Sequence, residues 1–163
     1  MRIETSDGTV VVEVESESET ESVGRALADW VAPGTVIGLI GPLGAGKTRL
    51  VRAIAEALGV APAAIASPTF VLIHEYEGDL AVFHFDVYRL GSEEEFEALG
   101  PGDYYDAGGV CLIEWADRVS RLLPADSWTV SIEPRGERRA VSLRVPDSAR
   151  FAESLAKGTA PRR

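Results

Sequence analysis

The chain has 163 residues, 45% hydrophobic and 26% charged, which are the length and proportions of one compact domain rather than a disordered or fibrous chain. Sixteen Lys and Arg stand against 26 Asp and Glu, for a net charge of −10; this argues against a broad basic face built to hold a phosphate backbone, so a tight hold on RNA needs a partner. One cysteine rules out an intramolecular disulfide. No run approaches the roughly 18 apolar residues of a membrane span, and the acidic N-terminus lacks the apolar stretch of a secretory signal, so the expectation is a reduced, cytoplasmic setting with no membrane attachment.

Residues 1–17 read as an N-terminal extension, a frayed strand over Thr9 to Val14 running into an acidic linker whose glutamates form a solvated face or a contact for a basic partner. Ser18 with Glu21 has the spacing of a capping box. Val23, Ala26, Leu27, Trp30 and Val31 then make one apolar helical stripe that Pro33-Gly34 stops. Thr35 to Ile40 reads as a short buried strand, and Lys47 to Leu58 as a helix ended by Gly59. A Pro- and Ala-rich loop from Ala61 to Thr69 precedes a hairpin, Phe70 to Tyr76 and Leu80 to Asp86, across Glu77-Gly78-Asp79. Ser92 with Glu95 opens a short helix to Leu99. Val110 to Ile113 is a buried strand, followed by a helix near Ala116 to Leu123. Trp128 to Glu133 and Ala140 to Val145 form a second hairpin, and residues 148–163 read as a partly disordered tail. The pattern predicts a three-layer α/β domain over 18–147 with a mixed parallel and antiparallel central sheet.

Gly41-Pro42-Leu43-Gly44-Ala45-Gly46-Lys47-Thr48 satisfies every fixed position of G-x-x-x-x-G-K-[ST], and it stands where that chemistry requires, after an apolar strand and before a helix. The glycines let successive amides turn inward, and the helix adds its positive end, so a polyphosphate meets donors rather than side-chain bulk. Lys47 reaches the β and γ phosphates, and Thr48 offers its hydroxyl to Mg²⁺. The domain is therefore expected to be P-loop NTPase-like. Such a loop identifies a nucleotide triphosphate and leaves the reaction open. Two carboxylates end apolar strands, Asp86 and Glu114. Glu114 is assigned to the Mg²⁺ shell and Asp86 to positioning water, with an exchange of the two roles, or helix capping by either, as the alternatives. A hydroxyl at Thr69 suits a switch that orders only around bound nucleotide; otherwise it is a turn residue after Pro68.

Beyond the loop, Ser67-Pro68-Thr69-Phe70, then His84-Phe85-Asp86-Val87-Tyr88-Arg89-Leu90, then Glu97-Ala98-Leu99-Gly100 with Asp103-Tyr104-Tyr105, then Glu114-Trp115 occur in an order that resembles the TsaE (YjeE) family, from about Ser18 to Val145. The resemblance implies an ATPase accessory in the formation of threonylcarbamoyladenosine at position 37 of ANN-decoding tRNAs. It would bind and hydrolyse ATP with Mg²⁺ to cycle a TsaB–TsaD complex, with tRNA engaged indirectly through that complex. By motif it implies Thr48 and Glu114 as Mg²⁺ contacts, Asp86, Lys47 and Thr69 as the catalytic set, and Trp115 at the site. Gly41, Leu43, Gly44, Ala45, Gly46, Lys47, Thr48 and Arg49 would line the nucleotide. Pro42 departs from the family, which usually has an acidic residue there, and so does Arg49, where a second Thr is common.

Several residues keep two readings. His84 shuttles a proton or is a hydrogen-bonded packing residue; Tyr88 and Arg89 contact nucleotide or partner, or Arg89 pairs with Glu93 to Glu95; Trp115 is a lid, an interface anchor or core. Arg118, Arg121 and the Arg135 to Arg139 group are solvated or meet an acidic partner surface or tRNA. Two other functions compete with the ATPase: a small-molecule P-loop kinase, and a nucleotide-gated binding module without required turnover. No arginine stands in an evident position to neutralise the γ phosphate, so turnover by the isolated chain is expected to be slow.

Overall fold

The computed structural model describes residues 1–65 and 71–158. In chain order the elements are β1 (Arg2–Ser6), β2 (Thr9–Val14), α1 (Glu17–Ala28), β3 (Val36–Ile40), α2 (Lys47–Ala57), β4 (Ile73–Tyr76), β5 (Val82–Asp86), α3 (Glu93–Ala98), α4 (Pro101–Tyr105), β6 (Val110–Glu114), β7 (Trp128–Arg135), β8 (Arg138–Arg144) and α5 (Ser148–Lys157). The strands form one sheet in the order β1-β2-β8-β7-β3-β6-β5-β4. Strand β3 runs parallel to β6 and β7, and β5 runs parallel to β6. The outer pairs are antiparallel. The sheet is thus mixed, and the chain has the expected α/β, P-loop NTPase-like fold.

Alternation along the central strands makes the three layers. On β3, Ile37 and Leu39 face one core with Leu27, Leu50, Ile54 and Phe151, contributed by α1, α2 and α5. Val36 and Ile40 face a second core with Phe85, Phe96 and Val119. Strand β6 divides the same way: Leu112 enters the first core and Cys111 and Ile113 the second. A strand buried on both faces has no polar alternation, which is why Val110 to Ile113 appears as a continuous apolar run.

The ends of the chain depart from the sequence reading. The stretch read as a frayed strand and linker is a hairpin, β1–β2, joined to the sheet through β8, with Val10, Val12 and Val14 fully buried. The cap of α1 is Ser16, two residues before the expected Ser18. Ser16 Oγ accepts from Glu19 N at 3.2 Å, and Glu19 reaches back to Glu15 N at 2.8 Å. Glu21 is instead engaged by Arg49 at 3.1 Å. The segment Ser148–Lys157, assigned above to the tail, forms α5. Its Phe151, Ala152 and Leu155 are buried at helical spacing, with Phe151 edge-on to Trp30 at 5.5 Å. Only residues 159–163 of that tail lie outside the described residues. The helix expected near Ala116 to Leu123 is a 3₁₀ segment, Ala116–Leu122, broken where Val119 leaves helical dihedrals to bury its side chain.

Candidate functional site

Strand β3 ends at Ile40, and the chain turns through Gly41 to Gly46 into α2. The turn is tight at both ends. A Cβ on Gly41 would stand 2.5 Å from Ile132 O, a backbone atom of β7, so any side chain there displaces the loop from the sheet. Gly46, the N-cap of α2, has φ 111° and offers no side-chain cap, and the first turn of α2 contains no acidic residue. The first amides of α2 and the positive end of its dipole therefore remain available to an anion.

Around this loop lies a cavity of about 460 Å³ lined by Leu43, Gly44, Gly46, Lys47, Thr48, Arg49, Asp86, Tyr88, Arg89, Glu114, Trp115 and Arg139, together with Glu17 and Thr20 of α1. Gly41 and Ala45 form the floor of the loop: Ala45 is fully buried and its amide donates to Pro42 O at 3.1 Å. Leu43 projects outward, 78% exposed.

Lys47 is folded back on its own loop. Its Nζ donates to Gly41 O at 2.7 Å and Pro42 O at 2.9 Å and sits 4.0 Å from the centroid of the Trp115 ring. Burial pulls the Lys47 ammonium below its ordinary value, and the Glu114, Asp117 and Asp86 carboxylates oppose that shift. The amine of a residue only 4% exposed is thus kept among carbonyl dipoles, a π face and three negative charges.

Strands β5 and β6 place the two carboxylates side by side, with Asp86 and Glu114 paired in register at the strand ends. Glu114 is buried. Both of its oxygens accept from Thr48 Oγ1, at 3.0 and 3.2 Å, and Oε1 is also 3.0 Å from His84 Nε2. His84 thus takes the hydrogen-bonded packing position, fixing the glutamate from behind. Asp86 Oδ1 accepts from Tyr88 N at 3.1 Å and opens the 3₁₀ turn Val87–Arg89. Among the described residues no group of three or more His, Cys, Asp or Glu is placed to hold a metal by itself. The Thr48 hydroxyl and Glu114 carboxylate form a small, oxygen-only set, which fits a hard ion that completes its shell with phosphate oxygens and water.

Trp115 follows Glu114 directly in the left-handed region, at φ 61° and ψ 37°. An L-residue pays for that conformation, and here it brings the ring over Lys47. Tyr88 packs on Trp115 with centroids 4.8 Å apart. The Arg118 guanidinium lies 5.0 Å from the Trp115 ring and 5.2 Å from the Tyr88 ring, and donates to Tyr88 O at 2.9 Å. Trp115 therefore meets two cations at the site while its ring, partly buried, also packs against the second core.

Lys47, Thr48, Asp86, Glu114 and Trp115 converge on one cavity, and Arg49 lines it while pairing with Glu17 at 2.9 Å and Glu21 at 3.1 Å. Thr69 lies outside the described residues. Three lining residues escaped the sequence reading as site residues: Glu17, Thr20 and Arg139. Period-two alternation on β8 separates the facing of Arg139 from that of Arg138, but nothing local says which strand neighbours the loop. No helix among the described residues is long and apolar enough to cross a membrane.

The family model for the threonylcarbamoyl adenosine biosynthesis protein TsaE matches residues 14–141. The tRNA threonylcarbamoyladenosine biosynthesis protein TsaE of Bacillus subtilis is 41% identical over 120 residues, 73% of this chain and 74% of that protein. The protein of the same name from Treponema pallidum is 40% identical over 117 residues, 72% of this chain and 86% of that one. Among solved structures, YdiB of Bacillus subtilis matches with a TM-score of 0.73 at 28% identity, covering 97% of this chain and 98% of its own. With the phosphate loop, the strand-end carboxylates and this likeness over most of its length, the chain belongs to the TsaE family of tRNA threonylcarbamoyladenosine biosynthesis proteins.

Proposed function

We propose that this chain binds ATP with Mg²⁺ at the Gly41–Thr48 loop and hydrolyses it as the ATPase accessory for threonylcarbamoyladenosine formation at position 37 of ANN-decoding tRNAs. Nucleotide turnover would cycle a cytoplasmic complex with TsaB and TsaD. The single observation that carries the reading is the contact of both Glu114 oxygens with the Thr48 hydroxyl at the loop's exit, which joins the phosphate cradle to a metal-competent carboxylate from another strand.

In this reading the amides of Gly44, Gly46 and Lys47, with the rest of the first turn of α2, cradle the β and γ phosphates. Lys47 exchanges the Gly41 and Pro42 carbonyls for phosphate oxygens, a short movement of an amine already desolvated. Mg²⁺, held by Thr48 and Glu114, supplies charge neutralisation to the phosphate tail. Asp86, beside Glu114 in register, orients the attacking water, and His84 keeps Glu114 from rotating away. Trp115 closes over Lys47 and limits water on that side. Thr69 contributes a hydroxyl to the γ phosphate or its metal. The net charge of −10 supports contact with tRNA through the complex rather than by this chain alone.

The test is steady-state ATP hydrolysis by the purified chain, alone and with TsaB and TsaD, alongside an assay of tRNA modification. Slow turnover alone and a gain of more than about tenfold with the partners is expected, since a transition-state group supplied by a partner carries effects of 10³ to 10⁵ in related systems. Equal rates with and without the partners refute the cycling role, and transfer of the γ phosphate to a small acceptor points to the kinase alternative.

A further inference from the structure

The loop's two flanks differ in charge. On one side in the sheet order stand β6 and β5, with Glu114 and Asp86 at their ends. On the other stand β7 and β8. Because β7 is parallel to β3 and β8 antiparallel to β7, the end of β7 and the start of β8 come to the same edge as the loop. From there Arg139 reaches into the cavity: its Nε lies 3.9 Å from where a Cβ on Gly46 would stand.

The neighbouring arginines of this hairpin have acidic partners. Arg135 is 3.6 Å from Glu13, and Arg138 is 2.9 Å from Glu15. Arg139 is half-buried and has no ion pair among the described residues, in a chain with an excess of ten acidic charges. A partly desolvated guanidinium beside a ring of inward amides has an anion as its natural complement.

A triphosphate whose γ end lies at Thr48 and Glu114 runs along the loop away from β6, which directs its nucleoside end toward β7 and β8. We infer that Arg139 binds the nucleoside-side phosphate, the α-phosphate of a bound nucleotide, from the sheet edge opposite the carboxylates. This rests on the nucleotide reading of the loop and adds to it a contact no loop motif contains. Arg139 grips charge rather than base, so it raises affinity for nucleoside di- and triphosphates without choosing between adenine and guanine.

Calorimetric titration of the full chain with MgADP and MgGDP tests this, using Arg139→Gln, Arg139→Lys and, as a control for net charge, Arg138→Gln. Loss of one charge-assisted contact is expected to weaken both nucleotides about tenfold in Arg139→Gln, with partial recovery in Arg139→Lys and no change in Arg138→Gln. Thermal melting without nucleotide checks that each variant folds, and should Arg139→Gln fail to fold, Arg139→Lys carries the comparison through a smaller equal loss for both nucleotides. Undiminished binding by Arg139→Gln beside a wild type that binds MgADP overturns the Arg139 assignment alone. Loss confined to one base, or an equal loss in Arg138→Gln, also overturns it. A wild type that binds neither nucleotide overturns the loop reading and this inference together.

Discussion

Replacing Glu114 by Gln changes one atom and separates two properties that the structure combines. Glu114 is buried, shares the single Thr48 hydroxyl proton between its two oxygens at 3.0 and 3.2 Å, and meets His84 at 3.0 Å. The amide preserves shape and one acceptor. Hydrogen bonds to a charged group contribute about 1.5–3 kcal/mol against about 0.5–1.5 for neutral ones, so the two partners together lose about 2 kcal/mol. Removing a buried carboxylate charge returns desolvation energy of similar size, which leaves a net change within about 1 kcal/mol, or about 2–4 °C in Tm for a chain of this length. Glu114→Ala instead leaves the buried His84 Nε2 without its partner, at about 1–3 kcal/mol, while the exposed Thr48 hydroxyl turns to water in the cavity, for a fall of about 2–12 °C. The informative assay is ADP affinity with and without millimolar Mg²⁺. Glu114→Gln is expected to fold and to bind ADP, but to lose most of the gain that Mg²⁺ confers on the wild type. A variant that keeps the full Mg²⁺ gain refutes the placement of Glu114 in the metal shell and leaves it a structural brace for Thr48.

Two further expectations rest on other parts of the site and core. At φ 61° Trp115 carries about 1–2 kcal/mol of left-handed backbone cost that glycine does not, so Trp115→Gly should be more stable to urea than Trp115→Ala by about 1 kcal/mol, although both lose the ring contacts with Lys47, Tyr88 and Arg118; equal stabilities refute a strained Trp115. Burial pushes the Cys111 thiol up to about 12 from its ordinary 9.0. It should therefore resist alkylation at pH 8 in the native chain and react fully in urea. The folded form retains a proton that the unfolded form releases, so this contribution to stability is complete below about pH 9 and declines by about 1.4 kcal/mol per pH unit as pH rises toward 12. Burial raises Tyr105 and adds to the decline, and the lowered Lys47 opposes it. Native alkylation at the rate of a free thiol refutes the buried state.

The phosphate loop was legible in the sequence because its chemistry is contiguous: the glycines, Lys47 and Thr48 form the cradle from their own backbone, whatever the rest of the chain does. The two hairpins and the buried central strands were legible for a similar reason, since turn residues and apolar runs act over a few positions. The ends were not. Strand β1 buries almost none of its own side chains and β2 turns only Val10, Val12 and Val14 to the core, and α5 shows only Phe151, Ala152 and Leu155 as its apolar face, too few to distinguish it from a tail until Phe151 meets Trp30.

What tertiary structure alone decided is the pairing of distant groups. Thr48 and Glu114 are 66 residues apart, and their contact depends on β3 and β6 lying adjacent and parallel with Leu39 opposite Glu114. Arg139 reaches Gly46 only because β7 inserts beside β3 and brings β8 to the same edge. Strand order carries no local signal, since each strand's pattern records that it is buried and not beside which neighbour. The sequence by itself determined that this chain carries a complete phosphate-loop motif between a strand and a helix; the order of strands in the sheet decided which carboxylate and which arginine stand on either side of it.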